Sequence, residues 1–357
     1  MTTVAAAQCD LIVRREGAAG VIRLNRPKAI NALTLDMSLG VDAALDLFET
    51  DPDVAVIVLE GAGERGLCAG GDIRGLYESA CAGGDLGKAF WRQEYTMNAR
   101  IARYPKPYVA FMDGLVIGGG VGLSAHGGHR VVTDRSKLSM PEVGLGFFPD
   151  VGGTWLLSRA PGEIGTYFAL TGQTMNGPDA IYAGFADAVV PAAKLPALRE
   201  ALTGIGRGAT AADVNKVISG FATGEAEGPV AAQHNRIDAL FAFDRMEDIV
   251  SALTRDGSEF AQTTLKTLGE KSPRGMVVAL RLLRLARQAH SLEECLVREF
   301  RAALEVFRSD DFREGVRAAV IDKDRNPKWS PPRIEDLTPE MVAPYFAEIG
   351  ADELKFS

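Results

Sequence analysis

Residues 139–150 read SMPEVGLGFFPD, and the only acids in them, Glu142 and Asp150, each follow a proline among apolar side chains and glycines. An isolated carboxylate taken out of water is strongly disfavoured unless it is paired, hydrogen-bonded or protonated. Two in one such stretch therefore point to acid/base or nucleophilic work. The competing reading is that Asp150 caps a helix formed by VGGTWLLSR. Fully extended, the chain would hold the two acids about 26 Å apart at about 3.3 Å per residue, too far to share a substrate. Gly144 and Gly146 permit it to fold back.

Two glycine clusters supply a second kind of chemistry. CAGGD (68–72) and IGGGVG (117–122) each follow a strand pattern and precede a segment able to form a helix. Such a turn leaves backbone N–H groups free, and glycine lets a ligand approach them closely. Two N–H groups aimed at one point stabilise a developing oxyanion. His126 and His129 lie near the second cluster but have no Ser or Cys partner at a recognisable spacing, so they read as structural. Cys68, beside the first, reads as a small buried residue. Gly61, Gly63 and Gly66 match the dinucleotide-binding pattern letter for letter, yet LCAGGD follows where a helix should start, and residues 81–90 hold no second strand. A nicotinamide site is therefore not expected.

The elements that must position these groups are legible as runs and periods. GVIRLNRP, VAVIVLEG, YVAFMDG and HRVVTD read as strands, while LTLDMSLGVDAALDLFET and AFWRQEYTMNARIARY carry helical apolar spacing, an α/β pattern. From about residue 195 the strand signals fade and helical segments such as MVVALRLLRLARQ and SLEECLVREFRAALEVF take over. At 357 residues and 46% hydrophobic content the chain can build a substantial core. Its net charge of −8, with no Lys/Arg-rich run, argues against nucleic acid or an anionic membrane surface as partner. Four cysteines and four histidines show no metal-binding spacing, so no metal is expected. The N-terminal MTTVAAAQCDLIVRREG has no basic-then-apolar export pattern, and no run of about 18 apolar residues occurs. The reading is a cytoplasmic protein with reduced thiols that acts on a small molecule.

LNRPKAINAL, GLCAGGDI, DGLVIGGGVGLSAHGGHRVVTD and MPEVGLGFFPDVGGTWLLSR, in this order and spacing, resemble the crotonase (enoyl-CoA hydratase/isomerase) superfamily. The resemblance implies a spiral of ββα units over residues 10–195, followed by a helical C-terminal extension over 196–357. It places the two backbone N–H groups that hold an acyl-CoA thioester oxygen at Gly71 and Gly119. Of the two glutamates of family hydratases, the first falls on Gly122 and the second on Glu142; Asp150 stands where hydratases usually have glycine. That E-x7-D spacing, with GGGVGLSAHG and DFREGVRAAVIDKDRNPKW, is similar to the branch that hydrolyses 3-hydroxyisobutyryl-CoA. There a further acid lines the substrate site, matched here by Glu94 in WRQEY. The resemblance thus implies thioester hydrolysis with CoA as part of the substrate rather than a cofactor. It also implies phosphate contacts from Arg26 and Lys28 and allows a homo-oligomer. A hydratase or isomerase working with a single acid, and a non-catalytic acyl-CoA binder, are the alternatives.

Overall fold

The continuous apolar runs of the first half need cover on both faces, and they obtain it in a mainly parallel sheet. The computed structural model describes residues 9–224 and 227–356. The first eight residues of the N-terminal stretch read above lie outside them. Strands β1 (Leu11–Glu16) and β2 (Ala19–Leu24) pair antiparallel, and β3 (Val56–Gly61), β5 (Tyr108–Met112), β7 (His129–Val132) and β9 (Ala188–Val189) join in parallel in the order β1-β2-β3-β5-β7-β9. A smaller sheet holds β4 (Gly66–Cys68), β6 (Leu115–Ile117) and β8 (Lys137–Ser139), all parallel.

Strands β3, β5 and β7 of the large sheet are each followed by a small-sheet strand and then by helix. The helices are α1 (Leu35–Thr50) after β2, α2 (Ile73–Cys81) and α3 (Leu86–Ala102) after β4, α4 (Gly119–Ser124) after β6, and α5 (Gly153–Leu157) after β8. This repeat is the ββα spiral. Alternation along the strands divides the large sheet cleanly: Ile22, Ile57, Leu59, Ala110 and Met112 face the main core, while Val21, Val56, Val58, Val109 and Phe111 face a second cluster. Helices Leu195–Thr203 and Ala211–Ser219 close that second cluster with Leu198, Leu202, Val214 and Ile218. The main core continues into helices Pro273–Ala286, Leu292–Arg308 and Asp310–Val316. The helical C-terminal region thus packs into both faces of the spiral.

The dinucleotide-like glycines have a different use. Gly61 ends β3, and Gly63 and Gly66 turn the chain directly into β4, with no helix between. They carry the chain from one sheet to the other.

Candidate active site

Three parallel strands side by side deliver three loops to one place, because parallel neighbours have their C-terminal ends together. The loop after β4 carries Gly71, the turn after β6 carries Gly118 and Gly119, and the segment after β8 carries Glu142. The two glycine loops meet so closely that a Cβ on Gly119 would lie 3.3 Å from the Gly71 nitrogen. Gly119 opens α4, where an N–H has no partner within the helix. Among the described residues neither the Gly71 nor the Gly119 N–H donates to a protein acceptor. Gly118 has φ +50°, a conformation that favours glycine, and a Cβ there would meet Glu142 Oε1 at 2.8 Å.

The remaining acids arrive from two further elements. Glu94 projects from α3, its Oε1 2.6 Å from where a Gly119 Cβ would stand. Asp150 sits in the turn before α5. The chain folds back between the two acids through a short 3-10 turn at Glu142–Leu145 and Gly146, which has φ +69°. Gly144 takes part without needing a left-handed backbone. Glu142 is 8% exposed, Asp150 6% and Glu94 2%, and all three line one pocket with Phe90, Trp91 and Phe147. The pocket encloses about 600 Å³ of atom-free space, open solvent included.

The Asp150 side chain caps no helix. Its Oδ2 accepts from the Tyr95 hydroxyl at 2.7 Å, and α5 begins only after Gly152. The turn itself is strained: Val151, β-branched, has φ +53°. His126 Nε2 lies 2.8 Å from the Val151 carbonyl and can donate to it, and burial pushes its imidazole down to about 4, so the ring stays neutral. On the other side Glu299, fully buried on helix Leu292–Arg308, accepts from the Gly152 N–H at 2.7 Å and the Thr154 N–H at 3.1 Å, and bonds the Thr154 hydroxyl.

Burial and mutual repulsion set the charges. Glu94 is pushed well above the carboxylate range by burial and then by Asp150 and Glu142; Glu142 likewise by burial, Asp150 and Glu299. Asp150 is raised less, to about 7, because the Tyr95 hydroxyl offsets part of the burial effect. Among the described residues Glu94 Oε1 and Glu142 Oε2, both buried, have no hydrogen-bond partner. Burial and repulsion thus favour the protonated forms of Glu94 and Glu142, while the Tyr95 hydroxyl favours the anion of Asp150. Cys68 is buried with its thiol pushed up to about 12 and is no nucleophile.

The basic pair expected at CoA phosphates separates in the structure. Arg26 is held by the protein: its guanidinium donates to Ala32 O at 2.6 Å and to Asp72 at 3.2 Å, tying the first glycine loop in place. Lys28 is exposed. His129 bonds Asn215 across to helix Ala211–Ser219.

A family model described as enoyl-CoA hydratase/isomerase matches residues 19–346. The chain belongs to the enoyl-CoA hydratase/isomerase family. Curated relatives include the mitochondrial 3-hydroxyisobutyryl-CoA hydrolases of Rattus norvegicus, 41% identical over 97% of this chain and 91% of theirs, and of Homo sapiens, 38% identical over the same shares. Among solved structures, a carnitinyl-CoA dehydratase from Mycobacterium thermoresistibile is 44% identical with TM-score 0.91, covering 97% of this chain and 98% of that one. An enoyl-CoA hydratase from Rhodobacter sphaeroides is 41% identical with TM-score 0.90, covering 98% and 100%.

Within this family the position of the first hydratase glutamate is structurally closed here. A Cβ on Gly122 would stand 2.7 Å from Val151 Cβ and 2.9 Å from Asn98 Nδ2. The chain has filled that corner from the Asp150 turn and from α3. The residues that sequence reading missed are those that hold the acids, Tyr95 and Glu299. Glu299 did leave a signal: it is a lone acid in the stripe Leu292, Cys295, Leu296, Phe300, Ala303 that faces the core.

Proposed function

We propose that this chain hydrolyses a short 3-hydroxyacyl-CoA thioester, 3-hydroxyisobutyryl-CoA first among them. The observation that carries the reading is that Glu142 and Asp150 share one buried pocket with two free backbone N–H groups, while Gly122 leaves the hydratase's first glutamate with neither side chain nor space. The names of the curated relatives support the same chemistry.

The thioester oxygen accepts from the Gly71 and Gly119 N–H groups, which polarise the carbonyl and stabilise the tetrahedral oxyanion. Burial and the neighbouring acids favour a proton on Glu142, and the Tyr95 hydroxyl favours the charge on Asp150. Transfer of that proton to Asp150 arms Glu142, whose carboxylate attacks the thioester carbon directly or deprotonates the water that does. The C–S bond breaks as Asp150 returns the proton to the departing thiolate. On the covalent route water then cleaves the anhydride, with Asp150 accepting its proton. Glu94, protonated beside Gly119, donates to the substrate hydroxyl. CoA is substrate, not cofactor. Lys28 offers an exposed ammonium for its phosphates, with Arg26 shaping the loop beneath. A homo-oligomer fits the family.

Among the described residues no helix is long and apolar enough to cross a membrane. The cytoplasm is our proposed compartment on the strength of four cysteines without disulfides, Cys9, Cys68, Cys81 and Cys295, although the named relatives are mitochondrial.

The names of the two solved structures make hydration the second reading. A thiol-release assay with 3-hydroxyisobutyryl-CoA, 3-hydroxypropionyl-CoA and crotonyl-CoA separates the readings. Hydrolysis frees CoA from the hydroxyacyl substrates; hydration consumes the enoyl absorbance without free thiol, and that result defeats the proposal. A binder does neither.

A further inference from the structure

We infer that Glu299, on a helix of the C-terminal region, is a positioning residue for the reaction, acting through Asp150. The inference rests on the thioesterase reading. Glu299 is 0% exposed, and among the described residues no Lys or Arg forms an ion pair with it. A buried, unpaired acid in the middle of an apolar helix face is disfavoured, and core packing alone is better served by Leu or Met at that place.

What the carboxylate does is specific. Its two oxygens take the Gly152 N–H, the Thr154 N–H and the Thr154 hydroxyl, the groups that immediately follow Asp150 and Val151. The backbone there needs holding, because Val151 at φ +53° and Gly152 at φ +76° form a turn that a β-branched residue does not choose unaided. His126 clasps it at the Val151 carbonyl and Glu299 at the next nitrogen. Between these clasps and Tyr95, the Asp150 carboxyl has one place to be. The groups facing Glu299 are Asp150, Glu142, Tyr95 and Cys295; burial first, and then Asp150, raise its own carboxyl to about 8. An amide cannot substitute: it offers one acceptor oxygen where the carboxylate serves two backbone donors with two oxygens.

Glu299→Gln should lower kcat about 10–100-fold, as a misplaced reacting group does, with KM within about threefold. In an Asp150→Asn background the same change should have almost no further effect, because a residue that works through Asp150 has nothing left to position. A loss of melting temperature with unchanged kcat, or losses that multiply in the double variant, overturns the inference. Should Glu299→Gln fail to fold, Thr154→Val removes only the hydroxyl and keeps both backbone bonds. It should reduce kcat severalfold, again only when Asp150 is present, and an unchanged kcat overturns the inference. If the parent releases no CoA, the thioesterase reading fails by itself. The infrared titration of the Asp150 carboxyl in parent and Glu299→Gln, which needs no turnover, then decides: a displaced titration supports the link, and superimposable curves refute it.

Discussion

The Tyr95 hydroxyl donates to Oδ2 of Asp150 at 2.7 Å, and both groups are buried. This bond separates Asp150 from the other acids of the pocket. All three carboxyls are destabilised as anions by burial, but only Asp150 has a phenol to stabilise its charge, and it is raised to about 7 while Glu94 and Glu142 go further. This hydrogen bond from α3 favours the anion of Asp150 over those of its neighbours.

Tyr95→Phe follows from that relationship. Losing the donor removes the effect that lowers Asp150, so its carboxyl should titrate higher, and the acid limb of kcat/KM against pH should move to higher pH. At pH values above the displaced titration, most of the activity should return. A pH–rate profile checks this; an acid limb that stays in place or moves to lower pH rules out Asp150 as the group reported.

Gly119→Pro removes one proposed oxyanion donor while proline remains acceptable in the first position of α4. Turnover should fall about 10²–10³-fold. The ring would also press on Glu94 Oε1, so acyl-CoA binding by calorimetry and the circular dichroism spectrum are measured beside the rate. Turnover within a few-fold of the parent, with both controls intact, removes the backbone-donor assignment.

Gly122→Glu should not produce a hydratase. The new side chain meets Val151 and Asn98 within 2.9 Å, and overpacking of this kind costs about 1–3 kcal/mol. The expected result is a lower melting temperature and no crotonyl-CoA hydration. Efficient hydration with an unchanged melting temperature would show the division of roles to be wrong.

The parts of this site readable in the sequence are those whose residue type is itself the signal. Glycines at 71 and 119 announce close backbone approach, and acids that follow prolines among apolar residues and glycines, at 142 and 150, announce burial. Their convergence is not local information: it follows from β4, β6 and β8 being neighbours, a pairing made across dozens of residues. Asp150 illustrates the limit. From sequence it competes with an N-cap, and only the position of Tyr95, 55 residues upstream, shows where the carboxyl points. Arg26 illustrates the reverse: a basic residue expected at the CoA phosphates is engaged by Ala32 and Asp72, a tertiary demand that no spacing discloses. The strands read as continuous apolar runs proved correct because both faces of the large sheet are covered, the second by helices that look from sequence like part of a separate extension.

Glu142→Gln removes the group proposed to attack or to activate water, and hydrolysis should fall by at least 10²–10⁴-fold. Asp150→Asn keeps an acceptor for Tyr95 but loses the proton carrier, and should fall steeply too, with acyl-CoA affinity preserved in both. If the two acids exchange one proton as proposed, the double variant should be scarcely worse than the weaker single variant. Full activity in Asp150→Asn beside a crippled Glu142→Gln would leave a single-glutamate enzyme and defeat the two-acid mechanism.

Glu94 joins function to stability. Its carboxyl is held well above the ordinary carboxylate pKa of about 4.3, so above that pH the folded protein keeps a proton that the unfolded chain releases. Binding more protons when folded means that stability falls as pH rises, from the unfolded pKa up through the folded one. Glutamine does not titrate and lacks this penalty. Glu94→Gln should therefore melt close to the parent at pH 4 and above it by a few degrees at pH 8, with the gap widening steadily between. The same change should weaken turnover of 3-hydroxyisobutyryl-CoA more than that of an acyl-CoA without the hydroxyl, since the amide alters the donor offered to that group. Scanning calorimetry across pH checks the first half; melting curves of the two proteins that run parallel from pH 4 to 8 would mean that Glu94 is not the strained acid described above.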